Sequence, residues 1–287
     1  MHNIESKEVI HSLEIWLRNL IDRELTIAHG EIYFDAENSK QQNVIKSQIR
    51  KNVEKRIKGH EERYPRKVDA LLLDEEIEII CNPVLYKRHF KDAFVYSYPN
   101  GNDELRHFLN QIIPIRNKLF YSNPISQREY EKVICYSHDL IDSIKEYYKK
   151  INMEKEFNVP SILFIYDSLG NAIHENQFID MKKGNRVISE RQMTNNILRV
   201  GEELKICIEI DKAFSSENYE IKWLYQEAKS VFSIKEQSGK LFSLRLKETH
   251  IREILKIECS VISDKPWHRF TKYDDKVTLF YKVLPIP

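Results

Sequence analysis

The chain has 287 residues, and its 45 basic and 44 acidic side chains leave a formal net charge of +1, which excludes nucleic-acid or membrane binding by bulk field alone and leaves local patches open. Its 41% apolar residues, with 13 Phe and 15 Tyr, can bury a core, so a disordered chain is excluded. Seven glycines, the nearest two (Gly170 and Gly184) 14 residues apart, exclude the glycine-rich phosphate loops of P-loop and dinucleotide folds; no apolar run approaches the ~18 residues of a membrane span.

From residue 1 to about 150 the apolar residues recur at three and four. Ile10, Leu13, Leu17, Leu20 and Leu25 form the stripe of a first helix, and Gly30 offers its end signal. A second helix is predicted over about 37–58. It is strongly basic, with Lys46, Arg50, Lys51, Lys55, Arg56 and Lys58 against Glu54. A third covers about 67–81, and a fourth follows Pro83 with Tyr86, Phe90 and Phe94. YPNGND is a turn with Asn102 as N-cap, and Leu105, Phe108, Leu109 and Ile112 carry the next helix into Pro114. Ser126, three positions before Glu129, is a capping box opening a last helix with the stripe Tyr130, Val133, Ile134, Ser137, Leu140, Ile141, Ile144 and Tyr148.

Around INMEKEFNVP the period changes. From residue 160 on, SILFIYD, NRVIS, LKICIEI, YEIKWLY, SVFSIKE, KLFSLRL, ILKIECSV and KVTLFYKVL read as short strands, with DSLGN and EQSGK as hairpin loops. The expected fold class is a two-domain α + β chain, an α-helical bundle over 1–152 followed by an antiparallel β-sandwich over 158–287. Cys207, Trp223 and Cys259 stand in the order of an immunoglobulin-like domain, yet Ile257 occupies the place of a tyrosine corner. Two readings stay open there: an immunoglobulin-like core at most, or three residues that merely fall on core faces.

Gaps of 54, 72 and 52 residues between Cys81, Cys135, Cys207 and Cys259 give no metal-knuckle spacing. The N-terminal MHNIESKEVIHSLEIW is amphipathic rather than a basic-then-apolar signal. Buried, reduced thiols in a cytoplasmic protein are therefore expected, with no metal and no cofactor. HEERY and HENQF begin like a zinc-protease helix and lack the second histidine. The acidic run Asp74, Glu75, Glu76, Glu78 reads as the solvated face of a helix rather than a metal-nuclease site.

The informative segment is QIIPIRNKLFYSNPIS, residues 111–126, where Arg116 and Asn117 sit near the end of an apolar helix before a turn and the capped last helix. With SLEIWLRNLIDREL, LLLDEEIEII, HFKDAF and LRHFLNQIIPIRNKLF, it makes residues 1–150 resemble the HEPN superfamily of helical, mostly dimeric, RNA-directed proteins, in the variety found in many bacterial defence proteins. The resemblance implies a composite site between two protomers, where an RNA 2′-hydroxyl attacks the adjacent phosphate without metal. In that family the arginine is followed, four to six residues on, by a histidine. An imidazole with a pKa near ~6.5 can take and return a proton, and a guanidinium holds the developing phosphorane. Here Tyr121 stands five residues after Arg116, in the histidine's place, and no histidine falls in 117–126. His107 lies nine residues before Arg116, on the opposite helix face; His138 on the last helix is not fixed by spacing.

Arg116, Asn117 and Tyr121 are thus the expected catalytic set, with Arg116 alternatively a structural arginine of the bundle. Arg50, Lys51, Lys55 and Arg56 are the expected RNA contacts, or else a solvated face. The functional expectation is an RNA-directed defence or toxin-type protein, a metal-independent ribonuclease or a derivative of one. RNA is its expected partner, and it dimerises through the helical domain. The β-sandwich serves as a sensing module or grips a protein partner. The alternative is a catalytically inactive HEPN module that dimerises and binds RNA or a ligand beside a separate effector.

Overall fold

A computed structural model of the chain describes residues 2–35, 44–181, 185–188, 193, 195–227 and 234–286. It divides into two compact units, Met1–Asn158 and Val159–Pro287, the first built of helices and the second of sheets. Among the described residues no helix is long and apolar enough to cross a membrane.

In the first unit α1 (His2–His29) buries Leu13, Leu17, Leu20 and Leu25 completely. It stops where Gly30 turns left-handed (φ 81°) and its N–H closes on the Thr26 carbonyl at 2.8 Å. The basic helix is α2 (Ser47–Ile57); the part of its predicted span over 37–43 lies outside the described residues. The predicted helix over 67–81 is broken. Lys67–Ala70 is one tight turn, Leu71 and Leu72 are extended, and only then does α3 (Leu73–Ile80) begin. The break has a cause, because the Leu71 carbonyl accepts from Arg18 Nη2 at 2.9 Å and the Leu72 N–H donates to Glu75 Oε2 at 3.1 Å. The helical stretch after Pro83 runs through α4 (Pro83–Leu85), a wider π-turn over Tyr86–Phe90 and α5 (Lys91–Phe94). Asn82 caps it, accepting from Val84 N at 3.0 Å and Leu85 N at 3.2 Å.

The next helix, α6 (Asn102–Phe120), carries Pro114 in its interior instead of ending there. Both Pro114 and Asn110, whose carbonyl loses its ladder partner, are exposed, so water can fill the missing rung. Asn102 is not the N-cap: Gly101 holds that position at φ 95°, and the Asn102 amide instead donates to the Cys81 carbonyl at 3.0 Å. Ser126 and Glu129 form the predicted capping box of α7 (Gln127–Lys150). That helix buries Val133, Ser137, Leu140, Ile141, Ile144 and Tyr148, leaving Tyr130 and Ile134 half-buried. A short α8 (Glu154–Phe157) stacks Phe157 on Tyr148 with ring centres 4.6 Å apart.

The second unit holds two sheets around one core. The strands are β1 (Ile162–Asp167), β2 (Ala172–His174), β3 (Ile179–Asp180), β4 (Arg186–Val187), β5 (Ile197–Arg199), β6 (Glu203–Ile210), β7 (Tyr219–Gln226), β8 (Ile234–Ser238), β9 (Leu241–Arg245), β10 (Arg252–Ser263) and β11 (Asp275–Leu284). One sheet has the order β2-β1-β6-β9; the other runs β3-β4-β11-β10-β7-β8, with β5 also on β11. Ile165, Ile206 and Ile208 from the first meet Trp223, Ile257, Val261 and Leu279 from the second. Polar ties cross between them as well: the Ile162 N–H donates to Asp275 at 2.6 Å and the Tyr281 hydroxyl to Asp167 at 2.8 Å.

Four expectations change here. The second sheet is mixed rather than antiparallel, because β4 and β5 both run parallel to β11. DSLGN does join an antiparallel pair, β1 and β2, whereas EQSGK joins strands of different sheets. At that corner Gly239 sits at φ 102° and its carbonyl accepts from Trp223 Nε1 at 2.8 Å. The immunoglobulin order of Cys207, Trp223 and Cys259 is not realised as a facing pair. Trp223 and Cys259 are register partners on β7 and β10, while Cys207 alternates with buried Ile206 and Ile208 and so points away from the core. Lastly, all four thiols are free, but Cys135 is exposed and Cys207 half-buried, and only Cys81 and Cys259 are buried as expected. Residues 228–233, which include the start of the SVFSIKE strand, lie outside the described residues.

Trp223 is fully buried, its ring 5.3 Å from that of Phe242 on the facing sheet. Trp223→Ala is expected to lower stability by about 3–5 kcal/mol through the cavity it leaves. Trp223→Phe, which loses only the bond to Gly239 and part of the ring, is expected to cost about 1 kcal/mol more than a neutral change. Urea unfolding of the purified chain measures both.

Candidate functional site

Along α1 the residues Lys7, His11, Glu14 and Arg18 recur at steps of four, three and four, which puts them on one face beside the apolar stripe. Arg18 turns inward from that face. Its Nε donates to Glu76 Oε1 at 2.8 Å and its Nη2 to Glu14 Oε2 at 3.1 Å. Glu76, on α3, is fully buried, and its second oxygen, Oε2, has no hydrogen-bond partner among the described residues. Burial pushes the Glu76 carboxyl up to about 8, against the pull of Arg18. Burial alone would lower the Arg18 guanidinium, but Glu76 and Glu14 outweigh it and hold it above its ordinary value.

From the other side Arg116 on α6 reaches the same carboxylate, its Nε 3.4 Å from Glu14 Oε1. The guanidinium lies 5.5 Å from the centre of the Phe120 ring, four residues on and one turn along the helix. Glu14 is its sole hydrogen-bond partner among the described residues, which leaves both Nη groups unbonded. Arg116 is 20% exposed, on the wall of an open groove of about 320 Å³. Lys7, Ile10, His11 and Glu14 of α1 line that groove with Arg116, Leu119 and Phe120 of α6. Among the residues that line the groove the charges are two positive, Lys7 and Arg116, against one negative, Glu14.

Of the expected catalytic set, Arg116 is therefore in the groove. Asn117 is exposed one position further, and Tyr121, 74% exposed, follows Phe120 at the helix end with the two rings edge-to-face at 5.3 Å. Neither Asn117 nor Tyr121 lines the groove. His107 and His138 are both exposed, His107 against Gln111 at 2.9 Å. The histidine that does share the groove, His11, comes from α1. A polar stripe of Lys, His, Glu and Arg interrupting an amphipathic helix was its signal in the sequence.

The basic helix is split by the structure. Arg56 is committed internally, donating to the Ala70 carbonyl and to buried Glu75 on α3. Arg50 is half-buried and 3.8 Å from Asp35. Each pairs with an acid that tertiary folding brings close. Lys51 and Lys55 are exposed. The acidic run departs from the expected solvated face: Glu75 and Glu76 are buried ion-pair partners, while Asp74 is exposed and Glu78 pairs with Lys46 at the surface. Among the described residues no group of three or more His, Cys, Asp or Glu could hold a metal ion. No family model matches the chain, and no curated protein matches it.

The raised Glu76 carboxyl makes a signed expectation. Its stabilising contribution is complete below the unfolded value near ~4.3 and is lost as pH rises through about 8. Wild-type stability is therefore expected to fall between those limits, and Glu76→Gln to flatten that fall while keeping an acceptor for Arg18. Glu76→Ala removes the acceptor and is expected to cost about 3–5 kcal/mol. Thermal unfolding across pH 4–9 reads all three.

Proposed function

We propose that the N-terminal unit is a HEPN-type, RNA-directed domain acting as a metal-independent ribonuclease in a defence or toxin-type system, with the C-terminal unit as a β-sandwich sensing or regulatory module. One observation carries the reading: Arg116 and His11 line a single open groove with a surplus of positive charge. RNA cleavage by its own 2′-hydroxyl needs a group that takes the hydroxyl proton and a cation that holds the five-coordinate phosphate. His11 takes the proton, and the oxygen attacks phosphorus. The bond to the 5′-oxygen breaks and that oxygen is reprotonated, leaving a 2′,3′-cyclic phosphate and a 5′-hydroxyl end. An imidazole suits both transfers near neutral pH, and the unbonded Nη groups of Arg116 present a planar fork to the phosphate oxygens. Phe120, 69% exposed, offers the groove an aromatic surface for a base or for the second protomer of a cytoplasmic homodimer.

A second reading has its own observation. Arg116 is tied to Glu14, and the motif's histidine position holds the outward-facing Tyr121. On that reading the domain is an inactive HEPN module that dimerises and binds RNA beside a separate effector.

Incubating the purified chain with total RNA separates the two. On the first reading wild type cleaves, and Arg116→Ala and His11→Ala each lower the rate by about 10²–10⁴. Identical RNA patterns from wild type and Arg116→Ala would discard it. On the second, wild type is inert and Tyr121→His creates cleavage.

A further inference from the structure

The connection between β10 and β11 is built unlike the other loops of the sheet unit. Its backbone is pinned by Asp274, fully buried, which accepts from the Ser263 N–H at 2.7 Å, the Arg269 N–H at 2.9 Å and His268 Nδ1 at 3.1 Å. Beyond that anchor Phe270 and Tyr273 exchange both backbone hydrogen bonds, 2.9 and 2.8 Å, across a two-residue turn at Thr271 and Lys272. The turn sets the two rings side by side, 5.8 Å between centres. Each ring of the loop has a cation over it. Arg269 lies 5.1 Å from the centre of Phe270, Lys265 4.5 Å from Trp267, and Lys276 5.7 Å from Tyr273. Lys276 also pairs with Glu258 at 2.9 Å, while Arg269 and Lys272 are exposed. The three rings are half-buried.

We propose that this loop is a docking site for single-stranded nucleic acid, its rings stacking on successive bases and its cations meeting the phosphates between them. Alternating rings and cations match the alternating faces and charges of an unpaired strand, and the pinned backbone means little ordering entropy is lost on binding. A duplex hides its base faces and is excluded by the same argument. A bilayer is the poorer partner, because the three rings are half-buried against the sheet unit and cannot insert among acyl chains. The site belongs to the sheet unit and does not rest on the ribonuclease reading.

The test uses the full-length chain and a labelled single-stranded oligodeoxythymidylate, which lacks the 2′-hydroxyl and so cannot be cut by the chemistry above. Fluorescence anisotropy is expected to show salt-dependent binding, weakened about tenfold by Phe270→Ala or Trp267→Ala and little changed by Phe270→Tyr. Ultraviolet crosslinking is expected to attach the oligonucleotide to the peptide spanning 264–276. The proposal is overturned if both alanine variants bind as wild type does, or if Phe270→Tyr weakens binding as much as Phe270→Ala. It is also overturned if a duplex binds as well, if crosslinks map only to residues 1–158, or if phosphatidylserine vesicles are bound and the oligonucleotide is not. Loss of RNA cleavage in Arg116→Ala with oligonucleotide binding intact leaves this loop standing; the reverse result leaves the ribonuclease groove standing.

Discussion

A chain of alternating carboxylates and guanidiniums fixes the helical unit: Glu76 to Arg18 to Glu14 to Arg116, running from α3 through α1 to α6. Packed apolar stripes would let these three helices slide or rotate with small loss, since hydrophobic contact has no direction. Hydrogen-bonded charges tolerate far less, above all at the inner link, where losing Arg18 strands the fully buried Glu76. The Leu71 carbonyl, which Arg18 also holds, carries the constraint into the chain path just ahead of α3. Helix register, the break before α3 and the position of the groove thus share one cause.

That cause explains which parts of the molecule were legible in the sequence. Where a signal is local it is readable: the stripe of α1, the stop at Gly30 and the capping box of Ser126 with Glu129 all depend on residues within one or two turns. Pairings between distant segments leave no periodic trace. Arg56 and Glu75 look like members of two solvated charge runs and become one buried bond. EQSGK has the composition of a hairpin loop, yet Trp223 and Gly239 turn it into a corner between sheets. Cys207 has the spacing of a core cysteine and the wrong strand parity, which only the register with β1 and β9 reveals.

The candidate site shows the same division. Arg116 stood out because a short motif brought it forward, and the structure puts it on the groove wall. Spacing from the motif brings up His107 and His138 and not His11, because the groove is made by two helices about 100 residues apart in sequence. The polar stripe on α1 was visible, but nothing local says which way it faces. In the sheet unit the aromatic and basic residues of 264–276 were visible too; their meaning as a set depends on the anchor at Asp274.

Pro114 gives α6 an uneven stiffness. One missing rung lies a half-turn ahead of Arg116, at a point where the helix faces water. The end segment that carries Arg116 and Phe120 is therefore held less by its backbone ladder than by the buried Ile115 and Leu119, facing an α1 wall that Arg18 clamps in place. Side-chain volume at those two apolar positions thus sets where the guanidinium stands against Glu14.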